Sequence, residues 1–194
     1  MTTNWNITRN WEGETVAVLA SGPSLTQAAA DDLAQHRCIA VNYSFLRASG
    51  ADMLVALDAD AGFWARAAEF KGTRVCGVAV DEIDALYAGP RYERIVMGPN
   101  NTIEIRNSGL AAIRIAAQMG AARIILVGFD PDVNAHFDGR PKVEGEPAAE
   151  YTGLSDGLAA LTVELAASGV VVEHYLPPEI VVDAPAPAAS KRAK

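Results

Sequence analysis

The sequence predicts one α/β domain, built as a mainly parallel sheet with helices on both faces in three α/β/α layers. Three observations predict it. Short runs of aliphatic, often β-branched residues are apolar at every position, which is typical of strands buried on both faces. These runs alternate with segments of helical periodicity. The 194 residues, 50% of them hydrophobic, are enough for one sizeable core.

The first half of the chain is predicted to hold five strands and two helices. The strands are Thr15 to Ala20, Cys38 to Val41, Met53 to Leu57, Arg74 to Val80 and Arg94 to Met97. Ser24-Leu25-Thr26-Gln27 has the spacing of a capping box, so a helix is predicted from about Ser24 to about His36. Phe63 to Phe70 is predicted to be a short second helix.

The second half is predicted to repeat this alternation. A helix follows Asn107-Ser108-Gly109 and runs to Met119, with Gly120 as its C-cap. A strand from Ile124 to Val127 is stopped by Gly128, and a last helix and strand are predicted at Ser155 to Ser168 and Val170 to Glu173. Between them, Pro131 to Gly153 shows no period and is predicted to be a long functional or mobile loop.

No repeat or linker divides the chain. Residues 1–183 are therefore assigned to one domain and the Ala/Pro-rich residues 184–194 to a disordered tail. Cys38 and Cys76 lie inside predicted strands, where buried thiols are expected ahead of a bridge or a metal pair.

The charge and the ends of the chain exclude some classes of partner. Lys and Arg number 16 against 24 Asp and Glu, and a net charge of -8 disfavours non-specific binding to nucleic acid. The polar start, Met1 to Glu14, has no signal-peptide run, and no stretch is long and apolar enough to span a bilayer. We therefore expect a cytoplasmic protein with no membrane partner; a homo-oligomer is left open.

Polar residues follow several predicted strands, at the edge where open α/β sheets bind ligands. They are Ser21, Gly22, Pro23, Ser24, Asn42, Asp58, Asn107, Ser108, Gly109 and Asp130. Gly22 would let backbone approach a ligand, and the N–H groups of the following helix favour phosphate; a plain strand–turn–helix junction is the alternative. Ser108 and Gly109 could likewise meet a phosphate or only cap their helix.

The remaining candidates have two interpretations each. Asn42 could bind a base, ribose or phosphate edge, or close a turn. Asp58 and Asp60 could hold Mg²⁺ with a diphosphate, or cap the next helix. His136, the only histidine in the long loop, could be a general acid or base, or merely exposed. The chain has no Gly-Lys-Ser/Thr motif, which argues against ordinary ATP hydrolysis.

Three segments together resemble a known family: VAVLASGPSLT (Val16 to Thr26), AVNYS (Ala40 to Ser44) and the block from Asn107 to Asp130. They resemble the bacterial sialyltransferases of glycosyltransferase family 42 and the DUF115 proteins, some of which are pterin diphosphokinases. The similarity is greater still to small phage and prophage relatives, for which the host cytoplasm would be the location.

The resemblance implies a Rossmann-like fold with a cytidine nucleotide or nucleoside diphosphate in the cleft, and hence a nucleotide-sugar (CMP-type) donor. It places Gly22, Pro23, Ser24, Asn42, Ser108 and Gly109 around this small-molecule nucleotide ligand.

Two positions depart from the sialyltransferase pattern. Ser21 stands where those enzymes have an asparagine, and Leu154 stands where they have the histidine base. We therefore expect a transferase that moves a glycosyl or phosphoryl group from a nucleotide-activated donor. His136 would be the acid or base, and Asp130 or Asp58 would be an orienting residue or metal ligand. The alternatives are a non-catalytic nucleotide-binding or sensing module and, more weakly, a structural phage protein.

Overall fold

The computed structural model describes residues 7–57, 61–76, 93–94, 107–130, 136–138 and 148–177. The predictions for Asp58, Asp60, residues 131–135 and 139–147, and the tail at 184–194 lie outside these ranges. So do the predicted continuations of the strands beyond Cys76 and Arg94.

Seven parallel strands form one sheet in the order β5-β4-β3-β2-β1-β6-β7. They are β1 (Thr15–Leu19), β2 (Arg37–Val41), β3 (Met53–Ala56), β4 (Thr73–Cys76), β5 (Glu93–Arg94), β6 (Arg123–Val127) and β7 (Val171–His174). The chain moves outward from β1 to β5 and then returns to the other side of β1, where Leu19 pairs with Val127. The direction in which successive strands are added to the sheet therefore reverses between β1 and β6. The carboxyl ends of these two strands form the topological switch point.

The central strands feed two cores. In β1, Val16 and Val18 enter one hydrophobic cluster, whereas Ala17 and Leu19 enter the other. All four side chains are fully buried. This confirms the prediction that strands apolar at every position are covered on both faces.

Helices supply the outer layers of both cores. They are α1 (Gln27–Leu33), a 3₁₀ helix (Asn42–Leu46), α2 (Ala61–Arg66), α3 (Ser108–Gln118) and α4 (Ala148–Ala167). Leu33, Phe45 and Trp64 pack with Leu19 on one face, while Ile113 of α3 and Leu161 of α4 pack with Val18 on the other. The three-layer, Rossmann-like α/β architecture predicted from the sequence is confirmed.

The start of α1 differs from the prediction. The N-cap is Thr26, whose Oγ1 accepts from the Ala29 N–H at 3.0 Å, and the helix runs from Gln27 to Leu33. The predicted capping box at Ser24 is wrong because the Ser24 hydroxyl accepts instead from the Gly128 N–H, 104 positions further along the chain. The hydroxyl that the sequence pattern assigned to the helix cap is thus used by a residue distant in the chain.

The start of α4 also differs, since the helix begins at Ala148 rather than at Ser155. The last part of the predicted loop from Pro131 to Gly153 is therefore helical. Ala148, Ala149 and Glu150 are good helix formers. Gly153 and Gly157 interrupt the apolar period. The periodicity of the sequence therefore did not reveal the first part of the helix.

Other local predictions are confirmed. Gly120, Gly128 and Gly169 have φ angles of 102°, 78° and 84°, in the left-handed region that suits glycine at the end of a helix or strand. Cys38 and Cys76 are buried and are not joined by a disulfide, and burial with the nearby charge of Asp52 raises the pKa of Cys38 to about 12. No helix within the described ranges has the length and apolar character needed to cross a membrane.

Candidate functional site

The turn after β1 is fixed directly onto the end of β6. The Ala20 N–H donates to the Val127 carbonyl at 2.8 Å, and the Gly22 N–H donates to the Gly128 carbonyl at 2.9 Å. In return, the Gly128 N–H donates to Ser24 Oγ at 2.9 Å. The two strand ends at the switch point therefore form one hydrogen-bonded unit.

Asp130 closes this unit. Its Oδ2 accepts from the Ser24 N–H at 2.8 Å. A Cβ atom on Gly22 would lie 2.2 Å from that same oxygen and 2.5 Å from the Gly128 carbonyl oxygen. Gly22 does permit a close approach, as predicted, but in this structure the groups that approach it are Asp130 and Gly128.

Four backbone N–H groups in and after the turn, those of Gly22, Ser24, Leu25 and Thr26, donate within the protein. Besides those of Gly22 and Ser24, the Leu25 N–H donates to the Gly22 carbonyl at 3.1 Å and the Thr26 N–H to the Ser24 carbonyl at 2.9 Å. Pro23 has no N–H. A phosphate at this turn would have to compete with the Asp130 carboxylate for the Ser24 amide.

The start of α3 is capped locally. Asn107 Oδ1 accepts from the N–H groups of Gly109 at 2.8 Å and Leu110 at 3.1 Å. Ser108 is buried and its hydroxyl accepts from the Leu57 N–H at 3.0 Å, which fixes the helix to the carboxyl end of β3. Of the two interpretations of these residues, the structure shows the helix cap. Their contact with a phosphate stays a prediction.

Gly109 lies against the end of β6. A Cβ atom on Gly109 would lie 2.8 Å from Cε1 of Phe129, whose ring is buried between the strand end and the helix. The turn at α3 and the turn at β1 are thus both in contact with residues 128–130. The structure brings these predicted site residues to one edge of the sheet.

Asn42 combines an uncommon backbone with an unused side chain. It follows β2 with a φ of 51°, a left-handed conformation that non-glycine residues rarely adopt and asparagine tolerates best. Its side chain is half-buried, and its carboxamide makes no hydrogen bond to any residue in the described part of the chain. The preceding carbonyl, of Val41, accepts from Ser21 Oγ at 3.2 Å, so Asn42 lies beside the β1 turn.

His136 is held next to the same turn through Phe137. The Phe137 N–H donates to the Ser21 carbonyl at 2.9 Å. The Arg47 guanidinium lies 4.3 Å from the centroid of the Phe137 ring and donates to the carbonyls of Phe137, at 3.3 Å, and Leu25. His136 is half-buried and directly precedes Phe137, so it lies beside this turn. Arg47 was not predicted, because nothing in its local sequence distinguishes it from a surface arginine.

The predicted metal site is not tested by these residues, because Asp58 and Asp60 lie outside the described ranges. Among the residues that are described, no group of three or more His, Cys, Asp or Glu side chains could hold a metal ion. A role for Mg²⁺ stays a prediction.

A groove of about 750 Å³ lies at the opposite, amino-terminal edge of the sheet. Three of its charged side chains are paired: Arg37 contacts Glu14 at 3.2 Å and Asp52 at 2.9 Å, and these contacts raise the pKa of Arg37. Asp52 also accepts from the Cys38 N–H at 2.9 Å. These groups connect the starts of three strands, and we assign this groove a structural role.

Comparison with known proteins adds no relative. No protein-family model matches the chain, and no curated protein or solved structure matches it significantly. The relationship to the sialyltransferases and the DUF115 proteins therefore stays a prediction.

Proposed function

We propose that the protein is a transferase that binds the nucleotide part of an activated donor at the carboxyl edge of its sheet. The donor would be a CMP-sugar or a nucleoside diphosphate compound, and the group transferred would be glycosyl or phosphoryl. The observation that carries the proposal is Asn42 next to the β1–β6 switch point, with its left-handed backbone and a carboxamide that has no hydrogen-bond partner among the described residues.

The backbone of Asn42 carries an energetic cost. A sparsely populated backbone conformation costs on the order of 1–3 kcal/mol, although less for asparagine than for most residues. Its half-buried carboxamide is not among the fully buried polar groups, so it is open to solvent and to a ligand. A base or ribose edge would satisfy the carboxamide, because it offers both acceptors and donors. Such costs cluster at ligand sites, and open α/β sheets bind ligands at this edge.

His136 is the proposed proton acceptor. As the acceptor hydroxyl forms its new bond to the transferred group and the nucleotide leaves, that hydroxyl must lose its proton. A histidine is suited to take it near neutral pH. The contacts of Phe137 with Ser21 and Arg47 hold the neighbouring His136 at the edge. Asp130 would orient the ligand.

Binding is the first test. Cytidine nucleotides, CMP-sugars and other nucleoside diphosphates are added at millimolar concentration while thermal unfolding is followed. A ligand at 100 times its Kd stabilises the native state by about 2.7 kcal/mol, so a clear rise in Tm is expected for at least one of them. A Tm that none of these compounds changes contradicts the proposal.

Two substitutions at Asn42 separate its side chain from its backbone. Asn42→Gly keeps the left-handed conformation without strain and removes the carboxamide. We expect an equal or higher Tm without ligand and nucleotide affinity at least ~10-fold weaker, as the loss of one good hydrogen-bonding group predicts. Asn42→Asp, which keeps the shape but not the N–H donor, is the matched control. Wild-type affinity in Asn42→Gly would remove Asn42 from the site.

One feature favours a second function, a non-catalytic nucleotide-binding module. Leu154 stands where the sialyltransferases have their histidine base, so the sequence offers no proton acceptor at that position. Assays of donor hydrolysis and of transfer to added acceptors decide between the two functions. Binding with no turnover of any donor supports the module, whereas turnover that His136→Ala lowers supports the transferase.

A further inference from the structure

We propose that Arg66 binds the phosphate group of the nucleotide, with its guanidinium positioned by the aromatic ring of Tyr43. The inference rests on the proposed function and assigns the phosphate to a residue outside both strand-end turns. It begins from the position of Tyr43, which directly follows Asn42 in the 3₁₀ helix after β2. A cation held at this ring lies on the side of the sheet where open α/β folds bind ligands.

The first step is the contact between Arg66 and Tyr43. The guanidinium carbon of Arg66 lies 5.8 Å from the centroid of the Tyr43 ring, within the distance of about 6 Å at which a ring attracts a cation. Phe63, three positions before Arg66, meets the same ring edge-on at a centroid distance of 5.0 Å. Residues three apart share one face of a helix, so α2 presents both side chains to Tyr43.

The ring that positions Arg66 is itself held in place. Phe63 is buried and makes further edge-to-face contacts with Phe45 at 5.8 Å and with Trp64 at 4.9 Å between ring centroids. Tyr43 therefore belongs to a packed aromatic cluster. A guanidinium held by such a ring loses less conformational freedom on binding a ligand than an unrestrained surface arginine does.

The second step concerns the partners of the arginines. Most arginine side chains that the structure describes have carboxylate or carbonyl partners: Arg9, Arg37, Arg114 and Arg123 pair with Asp or Glu, and Arg47 and Arg74 donate to backbone carbonyls. Arg66 is exposed and has neither kind of partner within the described ranges. Its contact with Tyr43 involves the positive charge and leaves guanidinium N–H groups for another acceptor.

The third step is the charge that a nucleotide must meet. The chain has a net charge of -8, so its overall field opposes the approach of a phosphate unless a cation lies at the site. A guanidinium suits this role, because its planar N–H groups can bind two phosphate oxygens at once. Arg66 would bind the phosphate while Asn42, next to Tyr43, contacts the base or ribose.

Arg66→Gln tests this directly, since it removes the charge and keeps a polar side chain. Dissociation constants are measured by calorimetry for cytidine, which has no phosphate, for CMP and for inorganic pyrophosphate. Lys71→Gln is the matched control, because Lys71 is also exposed and lies only five positions further along the chain. Its substitution changes the net charge by the same amount. Thermal unfolding of both variants checks that they are folded.

We expect Arg66→Gln to bind CMP and pyrophosphate at least ~10-fold more weakly than the wild type, with cytidine affinity within about two-fold. Arg66→Lys keeps the charge but not the planar guanidinium, so its CMP affinity should lie between the two. Lys71→Gln should leave all three constants unchanged.

Three results overturn the inference. The first is an equal loss of cytidine and CMP affinity in Arg66→Gln. The second is the same loss of CMP affinity in Lys71→Gln, which would reflect net charge alone. The third is a lower Tm of Arg66→Gln with unchanged affinities, which would mean that Arg66 only stabilises α2.

The pyrophosphate measurement separates this inference from the proposed function. If the wild type binds no nucleotide, the proposed function fails. Pyrophosphate binding that Arg66→Gln weakens and Lys71→Gln does not would still support a phosphate site at Arg66. If the wild type binds cytidine as tightly as CMP and does not bind pyrophosphate, the nucleoside part of the proposed function stands and the inference is wrong. Binding of none of the three compounds contradicts both.

Discussion

The Ser21–Ser24 turn and the Asn107–Gly109 start of α3 both lie at the carboxyl edge, but they are stabilised by partners at different distances along the chain. Asn107 caps α3 from the adjacent position, with Oδ1 on the Gly109 and Leu110 amides. The Ser24 amide is instead bound by Asp130, 106 positions further along the chain. The geometry at Asn107 is therefore determined by neighbouring residues, whereas the geometry at Ser24 exists only when β1 and β6 are paired.

The glycines of the two turns should show the largest difference. Gly22→Ala would place Cβ 2.5 Å from the Gly128 carbonyl oxygen, a backbone atom, so we expect about 3 kcal/mol of destabilisation. Gly109→Ala meets the Phe129 ring at 2.8 Å, and a side chain can shift. The gain of about 1 kcal/mol in helix propensity offsets much of that cost. Urea unfolding of both variants measures the difference, and equal losses would contradict the comparison.

Removing the Ser24 hydroxyl or the Asn107 side-chain carboxamide should give the next largest loss of stability. Ser24→Ala removes the acceptor of the buried Gly128 N–H and should cost about 1–2 kcal/mol. Asn107→Ala removes a helix cap and should cost about 1 kcal/mol.

Hydrogen exchange locates the two losses. Ser24→Ala should accelerate exchange at Gly128 and leave Gly109 and Leu110 protected, and Asn107→Ala should do the reverse. Faster exchange at Ala29 in Ser24→Ala would mean that Ser24 caps α1 after all.

Substitution of Arg47 should give the smallest loss of stability. It extends the comparison to the segment at Phe137. Arg47→Met removes the cation over Phe137 and its hydrogen bonds, a loss of about 0.5–1 kcal/mol for a partly exposed pair. We expect a few-fold faster exchange of the Phe137 amide, which bonds to Ser21, and no change at Gly109. Arg47→Lys keeps the positive charge but loses the planar guanidinium, so the exchange rate of the Phe137 amide should lie between those of the wild type and Arg47→Met. An unchanged Phe137 amide would show that Arg47 does not hold this segment.

The same division between local and distant partners decides how much of the molecule could be predicted. Apolar runs and strand-end positions predicted the sheet and its two covered faces, because periodicity is a property of neighbouring residues. The rule that ligands bind at strand ends predicted that Ser21 and Asp130 belong to one edge. The helix after Asn107 was predicted because its cap lies within the segment.

What could not be predicted depends on residues distant in the chain. No local pattern reveals that Gly128 takes the Ser24 hydroxyl, so the cap of α1 was assigned to Ser24 instead of Thr26. Gly22 was recognised as a position of close approach, but the approaching group was taken to be a ligand rather than Asp130. The left-handed backbone of Asn42 and the contact of Arg47 with Phe137 follow from the fold around them.

The pairing of β1 with β6 also has a consequence for how the chain is made. β2 begins at Arg37, 18 positions after β1 ends at Leu19, but the other neighbour of β1 begins only at Arg123. Such distant pairing is slow to form, and until then β1 presents an unpaired edge of the kind that aggregates. The nascent chain therefore passes through a vulnerable interval that ends when Arg123–Val127 is added. A fragment that stops before this strand would keep that open edge.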